Sequence, residues 1–407
     1  MTVDTSSTDD STLGAGAEFL SIEAAVAAAE AVLSQRFGST ITLIDAEDLA
    51  GSGPATVVRA RVDSSPFALP RTLVIKHYPG PARPGQDDAF AREAASYQLF
   101  TALSPEDRMC PELLAHGADH RVLVIDDFGR MPTLEDKLCG GDSRAAETAL
   151  LSWARSLGRL HFSTANREAD FNALLRRLSS RGRAGDGGSR DHSVGVAPGE
   201  VTALVPALLA QALAVTVPEP VHQAADRAAK LLTAGAYRAF SPVDLWPDNN
   251  LVTDAGLRFL DFERGRVRSA LIDAAHLRVP FVTDPHPLAL PAGMSEAMVA
   301  AWRAEIVGLW PDFGDDDTLE GHLLDTELLL IWHATRTHLP ALADVSNASR
   351  TGKAAALVTW WLGLAEHAGH SERDGDDAVA EHAATVADVL DARFGPGLRL
   401  ELYPAFR

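Results

Sequence analysis

The chain has 407 residues, 46% of them hydrophobic and 23% charged. That is a globular composition; it excludes wholesale disorder and leaves room for two domains or one two-lobed unit. Its 56 acidic and 36 basic residues give a formal net charge of −20, which argues against a dedicated nucleic-acid binder and against docking on an anionic membrane. A cationic or neutral small substrate is compatible with that charge, although acidic surfaces also simply keep proteins soluble.

Residues 1–17 are rich in Ser, Thr, Asp and Gly and read as a tail. They carry acids where a signal peptide needs basic residues, and no apolar stretch follows. Residues 19–36 have helical periodicity, which Gly38 ends. Three Val/Ile/Thr-rich runs, 40–44, 56–62 and 72–77, read as strands separated by Gly, Pro and Ser. An amphipathic helix is expected over 87–103, and strands over 113–116 and 122–125. Beyond residue 126 the pattern turns helical, over 134–138, 144–163, 201–215, 221–232, 296–309, 319–341, 354–366 and 378–394, with extended pieces only at 250–252 and 257–260. The run 201–217 is too interrupted, by Pro206 and Gln211, for a membrane span. Residues 179–199 hold six glycines and read as a disordered insertion. Cys110 and Cys139 provide neither a disulfide framework nor a metal motif, and a reducing, cytoplasmic setting fits. The layout is a strand-rich lobe at 18–125, a hinge at 126–130 and a helical lobe at 131–407.

The chemistry concentrates at Asp244-Leu-Trp-Pro-Asp-Asn249, followed by Leu260-Asp261-Phe262-Glu263. A D-x4-N loop, two short extended pieces and an Asp-Phe-Glu triplet are the parts of a phosphotransferase centre that uses Mg-ATP. Asp244 is placed to accept the proton of an attacking hydroxyl. Asn249 and Asp261 supply the hard oxygen ligands that Mg2+ prefers. D-x4-N alone is common in turns and caps. The N-terminal half adds what it lacks. Lys76 ends the run Leu73-Val-Ile-Lys76, from which an ammonium can reach nucleotide phosphates, although a lone Lys at a strand end is more often a solvated edge charge. Glu93, on the helix that follows, can pair with Lys76. Gly51, Ser52 and Gly53 lie between the first two strands, where bare backbone can approach phosphate.

On these motifs the chain resembles the aminoglycoside phosphotransferase/choline kinase-like family of small-molecule kinases, from about residue 39 to 280 and most strongly at 240–263. The resemblance implies an α+β, two-lobed protein kinase-like fold, with ATP and Mg2+ as cofactors. It makes the strand 122–128, with Asp126 and Phe128, the hinge that holds adenine. His161 would end a supporting helix and is read as a satisfied core histidine, and Asp273 would brace the catalytic loop. The chain departs from the family at one place. The family has His-Gly-Asp where this sequence reads Pro242-Val243-Asp244. Pro242, whose φ is fixed, can stiffen the loop instead.

The expected activity is phosphoryl transfer to a hydroxyl of a small molecule: aminoglycoside-like, amino alcohol or sugar. The alternative is a catalytically weak nucleotide-binding module, motivated by Pro242. A protein kinase fits poorly, because only ten residues separate Glu263 from Asp273. The sequence fixes neither the acceptor, nor ATP over GTP, nor the oligomeric state. His367 and His370 are read as a solvated helix end rather than a metal site. Asp315 to Asp317 are read as an acidic helix start, Trp332 and His333 as candidates to face the acceptor, and Trp360 and Trp361 as core.

Overall fold

The structure is a computed structural model and describes residues 20–51, 53–80, 88–179, 198–343 and 349–407. The expected tail at 1–17, most of the 179–199 insertion and Ser52 lie outside the described residues. Packing divides the chain into two compact units. One comprises residues up to 81 together with 114–127, the other residues 82–113 together with 128–407.

The first unit is a sheet covered by a helix. Helix α1 (Ile22–Phe37) starts at Ser21, whose side chain accepts the Ala24 N–H, and ends at Gly38, which has a φ of 68°. Five strands follow: β1 (Thr42–Asp48), β2 (Thr56–Ser64), β3 (Thr72–His77), β4 (Leu113–Gly117) and β5 (Val122–Asp126). Their order in the sheet is β1-β2-β3-β5-β4, and β2 and β5 flank β3 in antiparallel register. Ala25, Ala29, Val32 and Leu33 of α1 pack on Val58, Ala60, Leu73, Ile75 and Val124 of the sheet. β1 runs beyond the expected 40–44 because Asp45 takes a φ of 53° and the register slips between Ile44 and Glu47. That bulge lets pairing continue after the apolar run has ended.

The second unit opens with α2 (Ala89–Thr101), capped by Asp88. The helix falls inside the stretch read as the strand-rich lobe, yet it clusters with the helical residues. Its aromatic residues explain this. Phe100 lies 4.9 Å from Phe240 and 5.0 Å from Phe262, ring centre to ring centre, and Tyr97 lies 5.2 Å from Phe262. The remaining elements are α3 (Leu134–Leu138), α4 (Ser143–Thr164), α5 (Glu168–Ser179), α6 (Pro198–Leu213), α7 (Glu219–Thr233), β6 (Arg238–Ser241), β7 (Asn250–Thr253), β8 (Gly256–Phe259), β9 (Arg266–Ser269), α8 (Ala270–Arg278), α9 (Met294–Ile306), α10 (Asp316–His338), α11 (Arg350–Gly369) and α12 (Asp376–Phe394). Helices α6, α7, α10, α11 and α12 share one apolar core, which includes Trp332, Trp360 and Trp361. Trp332 is therefore core and does not face an acceptor. Among the described residues no helix is long and apolar enough to cross a membrane.

Four elements were not expected: α5, β6, β9 and α8. β6 and β9 are four residues each and carry Arg238, Arg266 and Arg268, so they show no apolar run. α8 is buried almost all round and so lacks a polar face to reveal its period. One of its buried residues, His276, gives the unit a pH dependence. Burial pushes its imidazole down to about 4, with Arg268 adding to the effect. The unfolded chain then binds a proton that the folded chain refuses, and stability falls as pH drops through the interval from about 6.5 to about 4. His276→Gln should lessen the fall of the urea-unfolding free energy between pH 7 and pH 5 by about 2 kcal/mol, while His333, His338 and His382, also pushed down to about 4 by burial, keep the remainder of the slope. An unchanged slope in the variant would remove His276 as its source.

Candidate active site

In the sheet unit, Lys76 sits on β3 between Val57 of β2 and Leu123 of β5. It is therefore on a central strand and only 8% exposed, not a solvated charge on a sheet edge. A buried lysine is uncommon enough to need a purpose. Lys76→Met keeps the apolar stem in the sheet and removes the charge. If Lys76 serves nucleotide phosphates, as the sequence reading expects, the variant should stay folded and lower turnover by about 10²–10³-fold, the cost of deleting one charge-stabilising group. Parallel melting curves and turnover assays separate the two effects.

The loop between β1 and β2 carries Gly51 and Gly53 and is closed by a 2.9 Å bond from the Leu49 N–H to the Val57 carbonyl. Its left-handed residue is Ala50, with a φ of 50°, held by the Asp48 carboxylate accepting the Ala50 N–H at 2.9 Å. At the far end of β5, Asp126 pairs with Leu73. Asp127 takes Arg59 in a bidentate grip at 2.8 and 3.0 Å. The boundary between the units falls after Asp127, so Phe128 begins the helical unit, inside the segment read as a hinge.

In the helical unit the chain leaves β6 at Ser241, passes Pro242 and Val243, and reaches Asp244. Val243 takes a φ of 71°. A β-branched residue in that region costs about 1–3 kcal/mol and persists only where its surroundings hold it. The chain then makes a single 3-10 turn, Pro247–Asn249, and enters the β7–β8 hairpin. The hairpin continues one step outward, where the Leu260 N–H donates to the Asn249 carbonyl at 3.0 Å. Asn249 is thereby fixed alongside the residue that precedes Asp261. The Asp261 carboxylate accepts the Glu263 N–H at 3.2 Å, and the Phe262 carbonyl accepts the Gly265 N–H at 2.8 Å. Gly265 is required there, since a Cβ would lie 2.6 Å from the Phe240 ring and 2.8 Å from the Ser96 hydroxyl.

Helix α2 packs directly on this triplet. The fully buried Glu93 carboxylate accepts the Phe262 N–H at 3.3 Å, and the Tyr97 hydroxyl donates to the Leu260 carbonyl at 2.8 Å. Burial, with Glu93 and Asp261 nearby, holds the Tyr97 phenol protonated. Glu93 is thus aimed at the Asp-Phe-Glu segment and is no surface carboxylate.

The acidic groups of the loop act on one another. Burial pushes the Asp244 carboxyl up to about 6; Arg264 pulls against this, while Asp261 and Asp248 add to it. Burial also raises Asp248, with Asp284 and Asp261 adding to the rise. Glu135, on α3, is raised by burial and then by Asp248 and Asp284. Asp244, Asp248, Asp261, Glu135 and Asp284 therefore form one negative field. Sequence reading gave no part to Arg264, Glu135, Asp248 or Asp284. Arg264 follows Asp261 by only three residues and was within reach of local inspection; Glu135 and Asp284 are brought in by tertiary packing.

The donor set suits Mg2+. Asp261 and Asn249 offer one carboxylate and one amide oxygen on adjacent ends of a hairpin, and Mg2+ is commonly held by one or two carboxylates with phosphate oxygens and water completing its shell. Among the described residues no group of three or more His, Cys, Asp and Glu side chains forms an all-protein metal cage. His367 does not belong to one either. Its Nδ1 bonds the buried Glu327 carboxylate at 2.8 and 3.0 Å, which makes it a partnered, mostly buried group and not a solvated helix end. Asp315 caps α10 as expected.

No protein-family model matches the chain, and no curated protein matches its sequence. Among solved structures, the backbone is similar to small-molecule kinases. A choline/ethanolamine kinase family protein from Mesorhizobium loti matches at 15% identity over 84% of this chain and 93% of that one, with a TM-score of 0.40. Choline kinase from Cryptosporidium parvum matches at 9% identity over 86% and 89%, with a TM-score of 0.43. An amicoumacin kinase in complex with AMP-PNP and Ca2+ matches at 11% identity over 86% and 90%, with a TM-score of 0.41. At such identities and scores the likeness gives no residue a role. The functional reading rests on the motifs and on the loop geometry.

Proposed function

We propose that the chain is an ATP- and Mg2+-dependent phosphotransferase that acts on a hydroxyl of a small molecule. The observation that carries this reading is the loop at 244–249: a half-buried Asp244 whose carboxyl is raised to about 6, in one loop with Asn249, which the hairpin fixes beside Leu260, the residue before Asp261. Asp244 accepts the hydroxyl proton as a general base. Asn249 and Asp261 hold Mg2+, which neutralises phosphate charge when bound. Lys76 is assigned to the nucleotide phosphates, and the loop at Gly51–Gly53 and the strand end at Asp126–Phe128 to the remainder of the nucleotide. Catalysis of this kind is positioning and charge neutralisation.

The negative field of Glu135, Asp248 and Asp284 around the loop favours a cationic acceptor, such as an amino alcohol or amino sugar, over a neutral sugar. The test is a coupled ADP-release screen over aminoglycosides, amino alcohols, sugars and nucleosides. Turnover with a cationic acceptor is expected. Mg2+-dependent ATP binding without turnover on any acceptor would favour the catalytically weak module that Pro242 suggests.

A further inference from the structure

We propose that Ser241 and Arg268 are positioning residues for Asp244. With Asp273 they hold Val243 in its left-handed conformation and so aim the carboxylate that follows it. The proposal rests on the phosphotransferase reading only in giving Asp244 its task.

A hydroxyl has one donor and two acceptor positions, and Ser241 uses all three. It donates to Asp273 Oδ1 at 2.9 Å, and it accepts from the Val243 N–H at 3.0 Å and from Arg268 Nε at 2.9 Å. Arg268 Nη2 closes the ring on Asp273 Oδ1 at 2.5 Å. All three side chains are buried: Ser241 is 1% exposed, Arg268 5% and Asp273 0%. The other oxygen of Asp273 meets His161 Nε2 at 3.1 Å. The Trp302 indole N–H donates to His161 Nδ1 at 3.0 Å. An indole nitrogen can only donate, so His161 Nδ1 is the acceptor and Nε2 carries the proton given to Asp273. The chain of bonds thus runs from α9 through α4 and α8 to the residue before Asp244, with each partner's role fixed. Burial alone would raise Asp273; Arg268, His161 and Ser241 outweigh it and keep the carboxylate charged.

The end of this chain is what makes it more than packing. It terminates on the backbone N–H of a β-branched residue at a φ of 71°. Strain of that kind is kept only where neighbours over-determine it, and here the residue under strain is bonded to the proposed base. Pro242, which stands where a histidine was expected, contributes only its fixed φ; the hydrogen bonding is done by Ser241, one residue earlier.

The experiment measures kcat, nucleotide Kd and amide hydrogen exchange at 243–246 in the full chain. Ser241→Ala should lower kcat by about 10–100-fold, the cost of a misplaced catalytic group, with nucleotide Kd within about twofold. Ser241→Thr keeps the hydroxyl and should stay near wild type. Adding Val243→Gly to Ser241→Ala should recover most of the loss, because glycine needs no hold to keep a positive φ. A Ser241→Ala enzyme with wild-type kcat, or a double variant no better than the single one, overturns the proposal. If Ser241→Ala does not fold, Arg268→Lys, which keeps the charge but cannot make both bonds, replaces it under the same criteria. If the wild-type chain turns over no acceptor, the phosphotransferase reading fails and exchange decides. Exchange at Val243 faster by about 10-fold or more in the variant, an opened hydrogen bond, upholds the hold on the loop; unchanged exchange overturns it.

Discussion

Asp261→Asn should abolish turnover and weaken Mg2+-dependent nucleotide binding together. The substitution is nearly isosteric, and an asparagine oxygen still accepts the Glu263 N–H that Asp261 Oδ1 now accepts at 3.2 Å. The turn from Phe262 to Gly265 is closed by backbone and by the packing of Gly265, and neither depends on the Asp261 charge. What disappears is one negative charge of the two-residue donor set, leaving two neutral amide oxygens for a cation that binds through carboxylates. The loss of affinity should be greatest at low Mg2+, and titrations of nucleotide at several Mg2+ concentrations measure it. A second consequence follows from the field around the loop. Asp261 contributes to the raised Asp244 carboxyl, so its neutralisation should bring Asp244 back toward the ordinary carboxylate range. Near-normal phosphoryl transfer by the variant at saturating Mg2+ would mean that Asp261 is not a metal ligand.

The parts of this candidate site that were legible in sequence are those whose chemistry is local. Asp244, Asn249 and the Asp261–Glu263 triplet lie within twenty residues, and the hairpin that joins them is itself local. Lys76 was legible as a lysine at the end of an apolar strand. Whether that strand lies at an edge or in the middle is a matter of sheet order, and β5, which arrives forty-five residues later, is what encloses it. The place of α2 was equally hidden. Its amphipathic period is plain, but the aromatic partners that draw it to the helical residues, Phe240 and Phe262, are more than a hundred residues away. Ser241 and Arg268 carried no signal at all, since each is an ordinary polar residue until the β6–β9 pairing and α8 bring Asp273 to both. Trp332 misled for the opposite reason: a large aromatic residue beside a histidine looks like a binding surface, and only the packing of α10 against its neighbours makes it core. α5 was within reach, because Phe171, Leu174, Leu175 and Leu178 recur at helical spacing.

Asp244→Asn should separate the proposed base from the proposed metal site. The Asp244 side chain is only partly exposed and accepts the Trp246 N–H at 3.4 Å, a bond that an asparagine oxygen can also accept. The shape of the loop depends on the bonds of Ser241 to Val243 and Asp273 and on the Asn249–Leu260 link, none of which uses the Asp244 carboxylate. The variant should therefore fold and bind nucleotide with an affinity within about twofold of wild type. What asparagine cannot do is take a proton from the attacking hydroxyl. General-base catalysis by a positioned side chain is worth about 10²–10⁴-fold, and kcat should fall by that factor while nucleotide Kd and the Mg2+ requirement hold. The expected pattern is thus two lesions of different kind, seventeen residues apart in sequence: loss of chemistry alone at Asp244, and loss of binding and chemistry together at Asp261. Calorimetric nucleotide titrations beside ADP-release kinetics on both variants read the pattern directly. Equal loss of nucleotide affinity in the two variants would merge their roles into metal binding and leave the hydroxyl proton without Asp244 as its acceptor.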